Sequence, residues 1–359
     1  MKGSLRNALL TLTLLAWPAC GGDTGPSGPT RAFRMGFSSF PPNFNDPSIV
    51  LPAINFWTPR ADAALFHVSP PWAAMIAGYP PAQAVDTVEM PLVNYYRGKG
   101  LDIVFTVDAT DGLNRSAEAP ALVAAGRSVT DTAIQRMYRQ WVFAVADKIR
   151  PSYLGLVAET NLIRASAPDS VYDALVVMAN AVAAQIRAAG IPTKLYVSIQ
   201  VETAWGALAG PSGPFVGIAQ DRTDFPFVDA IGLSSYPYLG GYADPENLPS
   251  DYYSRIVLGT TLPVLVVEGG WPSISVAGVS SSPAEQSRYI RRQVELLSAA
   301  GGVGLFQITF YDIDLTGFPP QPPGSPIGLF THLGLADSAM NPKPVLGVWD
   351  SVYAVPYRP

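Results

Sequence analysis

Two glutamates stand at the ends of apolar segments of the chain. Glu159 ends the segment YLGLVAE, and Glu268 ends PVLVVE and is followed by Gly-Gly-Trp-Pro. Buried glutamates are rare unless they are paired, so a carboxylate at the end of a β-rich apolar run is a candidate for chemistry. Two carboxyl groups in opposite protonation states can cleave a glycosidic bond. One protonates the leaving oxygen, and the other attacks the anomeric carbon or activates water.

Eight short apolar segments, most of them followed by a helical pattern, position these glutamates. Near-continuous apolar runs are typical of parallel strands that are covered on both faces. No glycine-rich phosphate-binding fingerprint follows any of them, which disfavours an open Rossmann sheet. The pattern therefore predicts an α/β fold, a single (β/α)8 TIM barrel. The predicted strands span residues 34–40, 63–69, 102–108, 153–159, 194–202, 229–236, 263–268 and 303–311.

The intervals between the predicted strands carry the helical patterns. Four are clear, and weaker patterns follow the first, second, fifth and sixth strands. The clear helices are predicted at 130–150, 169–190, 282–301 and 341–353.

In such a barrel the functional residues lie at the C-terminal ends of the strands. This rule adds eight candidate substrate-binding residues to the two glutamates. The tryptophans have rings that suit the C–H faces of sugars, although core packing is an equal alternative for each. A tyrosine hydroxyl near Glu268 could keep that carboxylate oriented. Glu202 is also an alternative to Glu159 as the acid. The eight candidates are His67, Trp72, Asp108, Asn161, Glu202, Trp205, Tyr236 and Trp271.

The order of these segments resembles the retaining glycoside hydrolases of clan A, with Glu159 after the fourth strand and VVEGGWPS after the seventh. DAIGLSSYPYL (229–239) and EGGWPS resemble segments of the family 53 endo-β-1,4-galactanases, and GLADSAMNPKPVLGVW (334–349) resembles the final loop and helix of many such barrels. The resemblance covers about residues 34–355. It implies Glu159 as acid/base, Glu268 as nucleophile and a carbohydrate substrate. An open groove lined by aromatic side chains would suggest endo action on a polysaccharide, and we expect endo rather than exo action.

One position departs from the pattern of clan A. These enzymes usually have an asparagine directly before the acid/base, and Ala158 stands there. Asn161 or Gln200 could supply the missing contact to the sugar instead, or the chain belongs to a divergent family. The alternative interpretation is a non-catalytic glycan-binding lipoprotein that keeps the barrel without turnover.

Composition excludes several other classes of function. The 359 residues are 48% hydrophobic and 14% charged, with a formal net charge of −5 and no basic run. A nucleic-acid partner is excluded because it requires a clustered basic surface. Two histidines and one cysteine give no zinc-ligand pattern, and no G-x-S-x-G motif supports a serine hydrolase. We expect a monomer without metal or cofactor.

The N-terminus has the features of an export signal at residues 1–20. Lys2 and Arg6 precede a ten-residue apolar core, residues 8–17, which is too short for a stable membrane span. Cys20, the single cysteine, resembles the lipid-attachment residue of bacterial lipoproteins, and simple secretion is the alternative. Residues 21–31 are predicted to be a flexible tether, and residues 32–359 the catalytic barrel. The predicted location is outer-surface or periplasmic, or secreted, with membrane contact only through Cys20.

Overall fold

The computed structural model describes residues 28–208, 213–276, 278–317 and 324–359. The predicted export signal with Cys20, and residues 21–27 of the predicted tether, lie outside the described residues. Within the described ranges no helix is both long enough and apolar enough to cross a membrane.

Eight parallel strands close into a barrel, which confirms the predicted fold. The described residues form ten strands in all, eight of which belong to the barrel: β1 (Arg34–Ser38), β2 (Ala63–Val68), β3 (Asp102–Val107), β4 (Thr110–Asp111), β5 (Asn114–Glu118), β6 (Tyr153–Gly155), β7 (Lys194–Gln200), β8 (Ala230–Ser235), β9 (Val264–Gly269) and β10 (Gly302–Gln307). The order around the barrel is β1-β10-β9-β8-β7-β6-β3-β2. β4 and β5 form a separate antiparallel hairpin directly after β3, which the sequence analysis did not predict.

Helices cover the outside of the barrel. They are α1 (Val50–Trp57), α2 (Trp72–Ile76), α3 (Pro81–Ala84), α4 (Met90–Gly98), α5 (Pro120–Ala124), α6 (Thr132–Ala144), α7 (Thr160–Ser166), α8 (Asp169–Ala188), α9 (Val201–Ala204), α10 (Ala219–Asp224), α11 (Pro283–Ala299) and α12 (Pro344–Tyr353). The four clear helical patterns correspond to α6, α8, α11 and α12. α6 continues into a π-helical turn at Val145–Ile149.

The connection from β8 to β9 differs from the prediction of a helix after the sixth strand. Its described residues form short 3-10 turns at Pro237–Gly240 and Pro245–Asn247, followed by further turns. The prolines and glycines of this segment explain the difference, because they interrupt the backbone hydrogen bonding that an α-helix needs.

Side chains fill the inside of the barrel. Tyr196 is fully buried among them. Its ring passes so close to Gly155 and Gly232 that a Cβ at these positions would lie 2.6 and 2.8 Å from it, respectively. The interior is therefore a packed core, and a larger apolar core lies between the strands and the helices. The interior set comprises Ala63, Leu65, Val104, Tyr153, Tyr196, Ala230, Leu265, Val267 and Phe306.

Candidate active site

Glu159 is held at the end of its strand by the neighbouring strand β7. The regular pairing of β6 ends at Gly155, before the predicted end at 159, but Ser198 N–H still donates to Val157 O over 3.0 Å. The N–H of Glu159 donates to Ser198 Oγ over 2.9 Å. Glu159 has φ 48° and ψ 49°. This left-handed conformation is uncommon for a residue with a Cβ and is found where the surroundings fix the backbone, often at functional sites.

Glu268 is directed by a β-bulge in β9. The pairing of β8 with β9 shifts between Leu233 and Ser234, which lies opposite Glu268. A bulge changes the direction of the side chains beside it. Gly269 follows with a φ of 150°, and a Cβ there would lie 2.5 Å from the carbonyl oxygen of Ser235. The glycine after the glutamate is therefore required by close backbone contact.

The two oxygens of the Glu268 carboxyl group have different surroundings. Tyr236 donates its hydroxyl hydrogen to Oε1 over 2.8 Å. The Nδ1 atom of His67 lies 3.7 Å from Oε2. Although Oε2 is buried, it has no hydrogen-bond partner among the described residues. One oxygen is thus fixed by the protein, and the other is free to react.

Arg115 connects the surroundings of the two glutamates. Its Nε donates to Glu159 Oε2 over 2.7 Å, and its Nη1 donates to Asp108 Oδ1 over 2.5 Å. The second oxygen of Asp108 lies 3.4 Å from His67 Nε2. Glu159, Arg115, Asp108, His67 and Glu268 therefore form a continuous chain of ionisable groups. None of these side chains is more than 10% exposed.

This chain of groups shifts the proton affinities of its members. Burial raises the pKa of Glu268, and the charge of Glu159 raises it further. The charges of His67 and Arg115 lower it in part, and the resulting pKa is about 7. Burial lowers the pKa of His67, but the hydrogen bond to Asp108 and the charge of Glu268 outweigh it, so this pKa is raised. The influence of Glu159 on Glu268 indicates that both carboxyl groups belong to one electrostatic site.

A cavity of about 280 Å³ opens at this end of the barrel. Its polar lining residues are His67, Ser69, Asp108, Arg115, Tyr236, Glu268 and Thr309. Glu159 is not among the residues that line the cavity, but it accepts a hydrogen bond from Arg115, which is. A larger depression of about 1340 Å³ lies at the opposite end, where the strands begin, and none of the predicted site residues line it.

The structure brings together five of the ten predicted site residues: Glu159, Glu268, Tyr236, His67 and Asp108. The three tryptophans do not line the cavity in the described part of the chain and are packing residues instead. Each is held against a tyrosine ring, and Trp72 and Trp271 are buried while Trp205 is half-buried. The pairs are Trp72 with Tyr138, Trp205 with Tyr252 and Trp271 with Tyr289.

Asn161 and Glu202 form hydrogen bonds with other parts of the protein. Asn161 exchanges two hydrogen bonds with the backbone of Gln200, of 2.9 and 2.8 Å. Glu202 is fully buried and accepts from Tyr252 Oη over 2.8 Å and from Tyr236 N over 3.1 Å. Burial raises the pKa of Glu202 to about 7. Neither residue lines the described cavity, so the prediction of substrate contact, and of Glu202 as an alternative acid, is not supported by their positions.

Arg115 is the principal residue that the sequence analysis missed. It lies on β5, so the hairpin after β3 carries it into the barrel mouth. The dipeptide Asp111-Gly112 is a turn signal that could have revealed the hairpin. Arg115 could not be assigned from sequence, because its partners Asp108 and Glu159 are 7 and 44 residues away.

Replacing Arg115 with methionine is expected to destabilise the protein. The change leaves Asp108 and Glu159 buried without their cation, which should lower the free energy of unfolding by about 3–5 kcal/mol. Urea unfolding at neutral pH measures this. Arg127→Met is the matched control, because its ion pair with Asp131 is about one-third exposed and should contribute less than about 1 kcal/mol. Equal losses in the two variants would show that the Arg115 network does not stabilise the fold.

The described residues contain no group of three or more histidine, cysteine, aspartate or glutamate side chains arranged to hold a metal ion.

No protein-family model matches the chain, and no curated protein matches it in sequence. Solved structures match it in fold. An exo-β-1,4-mannosidase from Opitutaceae bacterium strain TAV5 is 15% identical over 90% of this chain and 60% of its own, with a TM-score of 0.66. A GH5_18 protein from Bifidobacterium longum subsp. longum, in complex with Manβ1-4GlcNAc, is 17% identical, and the match covers 91% of this chain and 80% of that protein, with a TM-score of 0.59. A Ruminococcus gnavus β-glucuronidase in complex with uronic isofagomine is 14% identical, and the match covers 90% of this chain and 51% of that protein, with a TM-score of 0.55.

These neighbours show the fold, a closed barrel of eight parallel strands of the kind found in TIM-barrel glycosidases. The chain spans 60% of the length of the mannosidase and about half that of the β-glucuronidases. The three neighbours are not family 53 galactanases, so the resemblance to that family remains a prediction.

Proposed function

We propose that the protein is a retaining glycoside hydrolase that cleaves β-glycosidic bonds. The observation that carries the proposal is the pair Glu159 and Glu268, which lie at the ends of two different barrel strands and are connected at the barrel mouth through Arg115, Asp108 and His67. Each glutamate has one oxygen bonded to a neighbouring side chain, Arg115 or Tyr236. The glycosidases with the same fold support this proposal as well.

In the first step, Glu268 acts as the nucleophile. Its Oε2 attacks the anomeric carbon and forms a bond to the sugar while the glycosidic bond breaks. Tyr236 holds Oε1 during the attack, and His67, beside Oε2, supports the ionised form of the carboxylate. Glu159 gives its proton to the leaving oxygen, so the departing group leaves as an alcohol.

In the second step, Glu159 acts as a base. It takes a proton from water, the water oxygen attacks the anomeric carbon, and the bond to Glu268 breaks. The sugar is released with its original anomeric configuration, and both carboxyl groups return to their starting states. This sequence requires the two carboxyl groups to lie about 5–5.5 Å apart.

Arg115 must allow Glu159 to carry a proton. It donates to Oε2, while no hydrogen bond is made to Oε1 among the described residues. Oε1 is therefore the atom that we assign to proton transfer, and Arg115 is a positioning residue that fixes the other oxygen.

The cavity bears on the mode of action. The sequence analysis expected endo action on a polysaccharide or oligosaccharide, which needs a groove that accommodates several sugars. The described cavity, at about 280 Å³, is slightly below the range of about 300–1,000 Å³ of ligand pockets. This volume suits one sugar ring and favours cleavage at the end of a substrate.

We also propose that the protein is exported and, by its resemblance to lipoproteins, attached to lipid at Cys20.

The second candidate is a glycan-binding protein without turnover. Two observations favour it: Ala158 precedes Glu159 in place of the usual asparagine, and Arg115 already occupies one oxygen of Glu159. A binding protein would still use the cavity but would not need either carboxyl group to exchange a proton.

A panel of nitrophenyl β-glycosides separates the two candidates. The wild type should release nitrophenol from at least one glycoside, and Glu295→Gln, which changes an exposed glutamate on α11, should do so at the same rate. Binding of sugars by calorimetry, without turnover of any glycoside in the panel, would favour the binding protein and contradict the proposed enzyme.

Tyr236→Phe should change the pH dependence of turnover. The nucleophile must be ionised, so kcat/KM should rise as the pH increases through the pKa of Glu268, about 7. The Tyr236 hydroxyl lowers that pKa by bonding to the carboxylate. Its removal should move the acid limb to higher pH by roughly one to two pH units.

The matched control for this experiment is Tyr238→Phe. Tyr238 is also buried after β8, but its hydroxyl donates to Leu329 O over 3.0 Å. Its loss should leave the acid limb in place. An acid limb that is identical in the wild type and Tyr236→Phe would rule out Glu268 as the group whose ionisation limits the reaction at low pH.

A further inference from the structure

The cavity has a second, apolar side that the proposed bond cleavage does not use. The residues on this side come from the first strand–helix connection, the β4–β5 hairpin and the segments after β10. They are Phe40, Leu113, Ile308, Ile313, Ile327 and Phe330. The lining also contains Gly112 and the polar residues Ser69 and Thr309. The six apolar side chains therefore make up most of the lining outside the reactive groups, and we call them the apolar wall.

The described protein covers this apolar wall only in part. Leu113 is 38% exposed, and Phe40, Ile308, Ile313 and Phe330 are half-buried, while Ile327 alone is buried. Exposed apolar side chains that meet at a cavity usually mark a contact with a ligand. The wall is continuous with the reactive part, because Phe330 packs on the ring of Tyr236 with centroids 5.0 Å apart.

The chemistry of the wall disfavours a second sugar. The hydroxyl groups of a sugar need hydrogen-bond partners when water is removed, and isoleucine, leucine and phenylalanine side chains supply none. The hydroxyls of Ser69 and Thr309 are too few for the several hydroxyl groups of a second sugar. The tryptophans that could have formed stacking platforms, Trp72, Trp205 and Trp271, do not line this cavity in the described residues.

We propose that the wall binds an apolar leaving group, so that the preferred substrates are alkyl or aryl β-glycosides. This inference rests on the proposed function, since it places the sugar over Glu268 and the leaving group against the wall. The sugar ring fills the cavity of about 280 Å³, and the chain extends outward along the wall, whose exposed and half-buried members reach the protein surface.

The test compares methyl, butyl and octyl β-glycosides of the sugar that the nitrophenyl panel identifies. Their leaving alcohols differ little in acidity, so differences in kcat/KM report contacts of the chain with the protein. Each buried CH₂ group can raise kcat/KM about fourfold, and we expect octyl to exceed methyl by about 10- to 100-fold. Equal values for the three glycosides, or a preference for methyl, would overturn the proposal.

Leu113→Ser tests the wall itself. Leu113 lies in the turn of the hairpin and is partly exposed, so its replacement should not unfold the barrel. We expect the octyl-to-methyl ratio to fall at least about threefold. Leu258→Ser is the matched control, because Leu258 is 79% exposed and lies outside the cavity. Equal ratios in the wild type and Leu113→Ser would exclude a contact of the chain with Leu113.

The proposed function and the apolar wall fail in distinguishable ways. If the panel shows no turnover, calorimetry with Glu268→Gln still compares octyl with methyl β-glucoside, β-galactoside and β-mannoside. Tighter binding of the octyl compounds that Leu113→Ser weakens would support the wall without the enzyme. Turnover without an octyl preference would retain the enzyme and reject the wall.

Discussion

Replacing Glu268 with alanine is expected to reduce kcat on every substrate by on the order of 10⁴- to 10⁶-fold. The variant lacks the atom that forms the bond to the anomeric carbon, and water cannot substitute for it at the same rate. The loss should be equally large for good and poor leaving groups, because the bond to the nucleophile forms in either case. Steady-state rates on nitrophenyl and alkyl glycosides measure it.

Azide distinguishes this loss from misfolding. Alanine leaves space where the carboxylate stood, so azide can attack the anomeric carbon directly and give a glycosyl azide of inverted configuration. Wild type and Glu295→Gln should not form it. Turnover of Glu268→Ala close to wild type would refute the assignment of Glu268 as nucleophile, and circular dichroism checks that the barrel is intact.

Glu159→Ala is expected to act selectively. General acid catalysis contributes about 10²- to 10⁴-fold, and we expect losses in this range for alkyl glycosides, whose leaving oxygen needs a proton. Dinitrophenolate leaves as a stable anion without receiving a proton, so the first step on dinitrophenyl glycosides should be nearly unaffected. The ratio of kcat/KM for the two substrate types is the measurement.

The acid/base role has its own diagnostic product. In Glu159→Ala, azide can attack the glycosyl-enzyme in place of activated water, and the glycosyl azide should retain the original configuration. Loss of the same size for alkyl and dinitrophenyl glycosides would contradict the role of Glu159 as proton donor. Glu202→Gln is the appropriate comparison, because Glu202 also follows a strand but is fully buried.

The barrel and the positions of its two glutamates could be predicted from the sequence because both depend on local patterns. Apolar runs bounded by polar or chain-breaking residues identified all eight barrel strands. Glu159 and Glu268 follow from where those runs end. The glycine after Glu268 is a local signal with a local cause, the close contact of Gly269 with the backbone of Ser235.

The directions of side chains beyond the strand ends could not be predicted in the same way. Trp271 follows Glu268 by three residues, yet it lies against Tyr238 and Tyr289 rather than over the cavity. That orientation depends on the bulge in β9 and on the two glycines that precede Trp271. Period-two alternation ends where a strand ends, so no sequence rule assigns a side chain to the cavity there.

Contacts between distant segments could not be predicted from the sequence either. The network of Arg115 joins residues of β5 and of the ends of β3 and β6, and its existence depends on a hairpin that is only two strands of a few residues. Similarly, the apolar wall of the cavity gathers residues from three separate segments. Each of its members has an ordinary local sequence context.

The most direct test of the two-glutamate mechanism is the capture of its covalent intermediate. The wild type is incubated with a deoxyfluoro β-glycoside that carries a dinitrophenyl leaving group, and the labelled protein is digested and sequenced by mass spectrometry. We predict one sugar per protein molecule, attached to Glu268, and no label in Glu268→Gln. A sugar attached to any other residue, or turnover of the cognate glycoside with inversion of the anomeric centre, would contradict it.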